Sequence, residues 1–185
     1  MLTFLLLAVL VSAVAAIRDL RTGLIPNVLT LGTLVFAVGG HFLHGWALGG
    51  WQAAGIQAAF SLAGALLCAV APGVLYWKNG MGGGDLKLFA ALGALCHPMT
   101  GLELELTAFA LTALVLPARL AYEGRLLKVL GSSLALAVNP LLPATKRRTV
   151  PPEAMNWVRL GPAVFGAAVL TLVAHHPGLF LPRFR

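Results

Sequence analysis

Residues 1–17 read MLTFLLLAVLVSAVAAI, an uncharged apolar stretch that is followed at once by Arg18, Asp19 and Arg21. A secretory signal peptide carries its positive charges before its apolar run, whereas here they come after it. We therefore predict that this stretch is a retained first transmembrane helix. At 1.5 Å per residue, Leu2 to Ile17 spans only about 24 Å, which is less than the ~30 Å hydrocarbon core of a bilayer. Asp19 is therefore expected to lie still at membrane depth.

The remainder of the chain repeats this apolar pattern. Of the 185 residues, 59% are hydrophobic and only 10% are charged, and the mean hydropathy is +0.89, which excludes an ordinary soluble domain. Further apolar blocks cover residues 26–42, 51–77, 86–96, 104–120 and 162–181. We predict an all-α, polytopic integral membrane protein with about six transmembrane helices, in which residues 1–185 form a single membrane-embedded domain.

Two of the connecting segments have a distinct composition. Residues 39–50 are rich in Gly, His and Trp and carry no formal charge, so we predict a loop between the second and third helices. Residues 121–161 hold six of the thirteen Lys and Arg residues, and their apolar piece, residues 134–142, is too short to cross a membrane. This piece is predicted to be interfacial or re-entrant.

The positive charges predict the orientation. Eleven of the thirteen Lys and Arg residues lie in, or within two residues of, the connections after the first, third and fifth apolar blocks, and the other two are Arg183 and Arg185. The positive-inside rule places those connections in the cytoplasm, so both termini face outward. The net charge of +7 is explained by basic loops beside anionic lipid, and no basic patch interleaved with aromatic residues suggests a nucleic-acid partner.

The placement of the acidic residues is the strongest functional signal. The only two Asp residues, Asp19 and Asp85, each lie at the predicted cytoplasmic end of a helix. Asp85 closes the run Gly82-Gly83-Gly84-Asp85 and is followed by Leu86-Lys87. Ionisable side chains at membrane depth are costly and are functional candidates by default. Two alternatives remain: Asp85 is an ordinary helix N-cap, and Asp19 is a solvated loop acid between two arginines.

A pair of carboxyls on one side of the membrane suits a defined chemistry. Two adjacent carboxyls cannot both ionise easily, so they share one proton. The ionised member deprotonates water while the protonated member polarises a peptide carbonyl, as in aspartic proteases. Glycines before Asp85 permit positive φ values and let a substrate backbone lie against the loop. Lys87 is a candidate for tuning the charge of the pair or holding a carboxylate in place.

The two Asp motifs together closely resemble the prepilin peptidases, which are membrane aspartic proteases with a GxGD motif. The resemblance rests on Asp19, followed by Pro26-Asn27, on the segment from Gly82 through Gly84 and Asp85 to Lys87, and on the later Arg159-Leu160-Gly161-Pro162-Ala163. It implies that Asp19 and Asp85 are catalytic. It also implies supporting or substrate-binding positions, which are Pro26, Asn27, Gly82, Gly84 and Lys87.

The resemblance further implies the reaction and its place. The enzyme would remove the short basic leader of type IV prepilins or prepilin-like proteins at the cytoplasmic face of the inner membrane. The longer members of the family carry paired CxxC motifs linked to N-methylation, and this chain has none of these motifs. We therefore expect peptidase activity alone, like that of the short enzymes serving tight-adherence pili or archaeal preflagellins, and no cofactor.

The remaining candidates have ordinary explanations. Cys68 and Cys96 are expected to pack in the core, and His41, His44 and His97 are expected at the outer interface rather than in a metal site. The alternative function is a small transporter or ion-conducting protein, which would also place carboxylates at membrane depth. A third hypothesis is a non-enzymatic scaffold for pilus assembly, in which the acids only cap helices.

Overall fold

The computed structural model describes residues 1–122, residue 124 and residues 159–179. The described residues are helical apart from short connections, and they form five α-helices: α1 (Leu2–Thr22), α2 (Asn27–Trp77), α3 (Gly83–Cys96), α4 (Pro98–Tyr122) and α5 (Gly161–His175). A short 3-10 helix, Pro177–Leu179, follows α5. Among them, α1, α2 and α4 are long and apolar enough to cross a membrane, and α5 is a shorter apolar helix. This part of the chain has the all-helical fold expected from its composition.

Two compact units are distinguished. Residues 1–111 and 159–185 make up the first, and residues 112–158 make up the second. The described part of the second unit is the last part of α4, residues 112–122, together with Gly124. The predicted interfacial segment, residues 134–142, lies outside the described residues. The prediction of a single domain over residues 1–185 stays a prediction.

Helix α2 is a helical hairpin rather than one straight rod. Its 51 residues are interrupted at Gly49 and Gly50, whose backbone angles are not helical. The Phe42 and Trp51 rings lie 5.9 Å apart, whereas nine residues of continuous helix would separate them by about 13 Å. The chain therefore reverses at the two glycines, and each half has the roughly 20 residues that a membrane crossing requires.

The predicted loop at residues 39–50 is wrong for most of its length, because the helix continues through these residues up to Gly49. Two glycines of this stretch, Gly40 and Gly45, allow close packing instead of breaking the helix. A Cβ at Gly40 would lie 3.2 Å from Phe4 Cε1, and a Cβ at Gly45 would lie 2.6 Å from the carbonyl oxygen of Ala53. Glycine composition indicated a loop, whereas the physical role is the approach of neighbouring helices.

Helix α3 is short but central. It has 14 residues, and most of its second half is buried, including Leu92, Leu95 and Cys96. It packs on the second half of α2, where Ser61 Oγ donates a hydrogen bond to the carbonyl oxygen of Ala94 at 2.8 Å. Gly64 and Gly93 meet in this crossing, and a Cβ on either would collide with the backbone of the other. Both free cysteines are buried, as predicted.

Helices α1 and α5 form the second close contact. A Cβ at Gly161 would lie 2.9 Å from Ala16 Cα and from Asp19 Cβ, so only glycine fits at the start of α5 without a shift. Helix α1 runs beyond its apolar block to Thr22 and ends at Gly23, which adopts a left-handed conformation with φ of 67°. The Gly23 N–H donates to the carbonyl oxygen of Asp19. Asp19 thus lies in the last full turn of α1.

Candidate active site

One end of the first unit holds the residues that the sequence singled out, and we call it the aspartate end. It is marked by five residues from four different helices: Asp19, Asn27, Asp85, Lys87 and Gly161. Asp19 comes from the end of α1, Asn27 from the start of α2 and Gly161 from the start of α5. Asp85 and Lys87 come from the first turns of α3. The aspartate end therefore unites the two motifs and the later glycine that the sequence singled out.

Asp19 is a buried carboxyl. Its exposed fraction is 6%, and its Oδ2 accepts a hydrogen bond from the backbone N–H of Gly161 at 3.0 Å. The next residue, Leu20, accepts a hydrogen bond at its carbonyl oxygen from Arg159 Nη1 at 2.6 Å. The alternative of a solvated loop acid is therefore wrong, because the end of α1 is covered by the start of α5.

The position of Asp19 would be unfavourable for a negative charge without this cover. A helix C-terminus carries the negative end of the helix dipole, and Asp19 lies near the C-terminus of α1. A helix N-terminus has the opposite sign and presents unpaired N–H groups. The first residue of α5, Gly161, supplies such a group to the Asp19 carboxylate, which offsets the effect of α1.

Asp85 lies in the first turn of α3 and is half-buried. The alternative of an N-cap is wrong, since the N-cap is Gly82 and Asp85 is the third residue of the helix. Asp85 lies outside the three long apolar helices. Burial, and after it the nearby Asp19, raises the pKa of Asp85 to about 6, while a backbone hydrogen bond from Gly82 opposes the shift. The structure thus brings the two Asp side chains within electrostatic range.

The glycines before Asp85 serve close packing in this structure. The positive φ values that these glycines permit are not found at Gly82, Gly83 or Gly84; the left-handed residue in this turn is Asn79, with φ of 56°. Gly82 is extended, with φ of −73° and ψ of 146°, and α3 begins at the next residue. A Cβ at Gly84 would lie 3.3 Å from Ile25 Cβ. Gly84 therefore lets the start of α3 lie against the connection between α1 and α2.

Lys87 contacts the first motif rather than its own aspartate. Its Nζ donates a hydrogen bond to Asn27 Oδ1 at 2.8 Å, so the suggestion that it holds a carboxylate in place is not what this structure shows. Pro26 is the N-cap of α2, and its carbonyl oxygen accepts from the N–H groups of Leu29 and Thr30. The Pro26-Asn27 pair thus starts α2 and positions its first side chain toward α3.

Comparison with protein-family models matches residues 5–118 to the type IV leader peptidase family. The chain belongs to this family. It is therefore a peptidase, and the resemblance found in the sequence is confirmed at the level of the family. Comparison with curated proteins and with solved structures gives no match. The region matched to the type IV leader peptidase family includes both aspartates, whereas Arg159 and Gly161 lie beyond it.

Gly161 contacts Asp19, a role that its sequence motif alone did not predict. The sequence feature that pointed to this position is the segment Arg159-Leu160-Gly161-Pro162-Ala163, which resembles the entry to the last helix of the family. Its contact with Asp19 joins residues 142 positions apart, so no local pattern predicts it. Pro162 follows in the first turn of α5, where a missing N–H costs nothing.

A second polar cluster lies at the other end of the first unit. His41 is only 1% exposed, so it is buried within the protein, and its position at the outer interface stays a prediction. Its Nε2 lies 3.0 Å from the carbonyl oxygen of Leu95, its Nδ1 lies 3.0 Å from His97 Nε2, and its ring stacks on Phe4. The carbonyl oxygen of Leu95 can only accept a hydrogen bond, so His41 donates from Nε2. When both rings are neutral, His41 Nδ1 therefore accepts a hydrogen bond from His97 Nε2. These contacts tie the end of α3 to α1 and α2.

Glu105, in α4, is another buried carboxyl. It is 2% exposed, and its oxygens make no regular hydrogen bond, although its carboxyl group lies within interaction range of Cys68. Glu103 differs, because its Oε2 lies 2.7 Å from His175 Nε2 at the surface. In the described part of the chain, no three His, Cys, Asp or Glu side chains are grouped so as to hold a metal ion.

Proposed function

We propose that this member of the type IV leader peptidase family is an aspartic endopeptidase in which Asp19 and Asp85 are the catalytic residues. The observation that carries the proposal is that Asp19, in α1, lies close enough to Asp85, in α3, to raise the pKa of the Asp85 carboxyl. Membership of a peptidase family supports hydrolysis over the transporter and scaffold alternatives. The substrate class is the leader region of prepilins or prepilin-like proteins.

The pair supplies a base and an acid for peptide hydrolysis. The ionised carboxylate takes a proton from water, and the resulting hydroxide adds to the carbonyl carbon of the scissile peptide. The carbonyl oxygen takes the proton of the protonated carboxyl, which gives a neutral gem-diol. On collapse, the first carboxyl returns its proton to the leaving nitrogen as the C–N bond breaks. The second carboxyl recovers a proton from a gem-diol hydroxyl, so the pair is restored.

The surroundings of the pair suit a membrane-borne substrate. The aspartate end carries Arg18, Arg21, Lys78, Lys87 and Arg159, so the positive-inside rule assigns it to the cytoplasmic side of the inner membrane. A basic prepilin leader is held on that side by the same effect, while its apolar segment lies in the membrane. The scissile bond then lies at the depth of Asp19 and Asp85. This orientation is part of the proposal.

The proposal is tested by co-expression with a candidate prepilin. The wild-type chain is expected to shorten the prepilin, and mass spectrometry of the product is expected to show removal of the leader at one peptide bond. A matched strain with the vector alone keeps the leader. Failure to cut any of a panel of prepilins, with the enzyme inserted in the membrane, would overturn the assignment.

The orientation has its own test, after Cys68 and Cys96 are changed to Ala. A cysteine introduced at Arg21 or Gly83 is expected to be protected from an impermeant thiol reagent in intact cells. A cysteine at Gly49, in the reversal of α2, is expected to react. Labelling of the Gly83 position from outside would place the carboxyl pair on the wrong side for a prepilin leader.

A further inference from the structure

The start of α5 contacts one member of the carboxyl pair. The Gly161 N–H donates to Asp19 Oδ2 at 3.0 Å. The α5 segment is fastened at the same place by Arg159 Nη1, which donates to the carbonyl oxygen of Leu20. No corresponding contact from α5 reaches Asp85 among the described residues. The two carboxyls therefore have different environments.

The hydrogen bond distinguishes the protonation states of Asp19. An ionised carboxylate only accepts hydrogen bonds, and a backbone N–H that points at it stabilises the charged form. Gly161 is also the first residue of α5, so the positive end of the helix dipole faces Asp19. Both effects favour the charge on Asp19, and they act within hydrogen-bonding distance in a buried site.

The close approach is specific to glycine. A Cβ at position 161 would lie 2.9 Å from Asp19 Oδ2 and from Asp19 Cβ, as well as from Ala16 Cα. Contacts under 3.0 Å require a shift, and two of these three atoms belong to Asp19 itself. A side chain at position 161 would therefore move the carboxylate away from the N–H that holds it.

We propose that Gly161 is a positioning residue whose backbone N–H keeps Asp19 as the ionised member of the pair, which assigns water activation to Asp19 and the shared proton to Asp85. This inference rests on the proposed function. It adds an assignment that the family match does not contain, because residues 5–118 exclude position 161. Arg159 supports the same contact by holding Leu20 against the start of α5.

The direct test replaces the Gly161 amide by an ester. Glycolic acid at this position, introduced by cell-free synthesis into lipid nanodiscs, removes the N–H and adds no atom that collides with Asp19. The readout is prepilin cleavage as a function of pH. Without the donor the carboxylate protonates more easily, so the acid-side midpoint of activity is expected to move up by about one pH unit. Below that midpoint the variant is expected to be about tenfold less active than wild type.

The matched control is lactic acid in place of Ala163. This ester removes another N–H of the first turn of α5, while the first helical hydrogen bond, from Val164 N–H to the carbonyl oxygen of Leu160, is kept. Its pH profile is expected to match that of the wild type. An unchanged acid-side midpoint in the Gly161 ester would overturn the positioning role, and so would an equal shift in both esters. Loss of activity at every pH with the same midpoint would also overturn it, since this indicates a structural effect alone.

If the protein with the Gly161 ester does not insert into the lipid nanodisc, a second pair of variants still tests the inference. Gly161→Ala is expected to lose more than tenfold activity near the acid side and to shift the midpoint in the same direction. Gly166→Ala adds a Cβ on the same helix, 3.3 Å from Leu111 Cδ1 and away from Asp19, and is expected to leave the midpoint unchanged. Equal midpoints in the two alanine variants would reject the inference. If the wild type itself cleaves no prepilin, the proposed function fails instead.

Discussion

Lys87 Nζ donates a hydrogen bond to Asn27 Oδ1 at 2.8 Å, and this contact joins two motifs that lie 60 residues apart in the chain. Asn27 is the first residue of α2, and Lys87 follows Asp85 by two positions in α3. The bond therefore fixes the beginning of α2 beside the helix that carries Asp85. Both side chains are exposed, so its contribution to stability is small and its role is in the geometry of the site.

Lys87→Ala and Asn27→Ala are expected to reduce prepilin cleavage by similar amounts, roughly fivefold each, because each removes the same hydrogen bond. The double variant is expected to lose no more than either single variant. Initial rates of leader removal measure both effects. Lys78→Ala is the matched control, since Lys78 is an exposed lysine at the end of α2. Additive losses, or a Lys87→Ala variant as inactive as an aspartate variant, would require a separate role for Lys87.

The raised pKa of Asp85, about 6 against an ordinary 3.8, predicts a pH dependence of stability. A carboxyl whose pKa is raised by folding destabilises the folded protein when it ionises, so stability is lost as the pH rises from about 4 through 6. Asp85→Asn removes this loss. Its melting temperature in detergent is expected to exceed that of the wild type above pH 6, and the difference is expected to shrink toward pH 4. A difference that grows on acidification would contradict the burial of Asp85.

The second cause of that shift is Asp19, and it has a separate signature. A hydrophobic carbodiimide modifies protonated carboxyls in apolar surroundings, so labelling of Asp85 is expected to fall as the pH rises through about 6. In Asp19→Asn the fall is expected at lower pH, because the neighbouring negative charge is gone. It is expected to stay above pH 3.8, since burial is the larger cause. Peptide mass spectrometry measures the labelling, and identical profiles would show that the carboxyls do not interact.

The crossing of α2 and α3 predicts a strong effect of one methyl group. Gly93→Ala would place a Cβ against the Gly64 carbonyl and 2.7 Å from Cys68 Cβ, so the variant is expected to lose about 1–3 kcal/mol of stability. Gly55→Ala adds the same group to a helical position with open space around it, and no loss is expected there. Melting temperatures in detergent compare the two. Equal stability of both variants would contradict the close packing of α2 against α3 at Gly93.

The sequence predicted the helices better than their connections. Length and hydropathy were sufficient for α1 and for the second half of α2, because a membrane span requires a long apolar run. The loop predicted at residues 39–50 was wrong, since Gly40 and Gly45 serve helix packing and only Gly49 and Gly50 reverse the chain. A glycine gives the same local signal in both cases.

The candidate site, like the helices, was predicted from the sequence only in part. Asp19 and Asp85 were singled out because carboxylates at membrane depth are unusual, and the structure places them within electrostatic range of each other. The contact of Gly161 with Asp19 and the burial of Glu105 depend on which helices are neighbours, and hydropathy carries no such information. The position of Asp85 inside α3 was missed because three glycines precede it, although the last two of them, Gly83 and Gly84, begin a helix that is stabilised by packing.

Chelation provides a test of the cofactor prediction. Water activated by two carboxylates requires no metal ion, so EDTA is expected to leave leader cleavage unchanged over the full time course. Serine-directed and cysteine-directed reagents are likewise expected to have no effect on the rate. Loss of cleavage in EDTA with recovery on addition of zinc would direct attention to the cluster of His41 and His97 and would refute the carboxylate mechanism.

The most direct test of the central claim is prepilin cleavage by three carboxyl-to-amide variants that are expressed and inserted equally. Asp19→Asn and Asp85→Asn are each expected to abolish removal of the leader, because either change leaves the pair without its base or its shared proton. Glu105→Gln changes another buried carboxyl, away from the aspartate end, and is expected to keep cleaving. Full leader removal by either aspartate variant would contradict the account, whereas cleavage by Glu105→Gln alone is the result that it predicts.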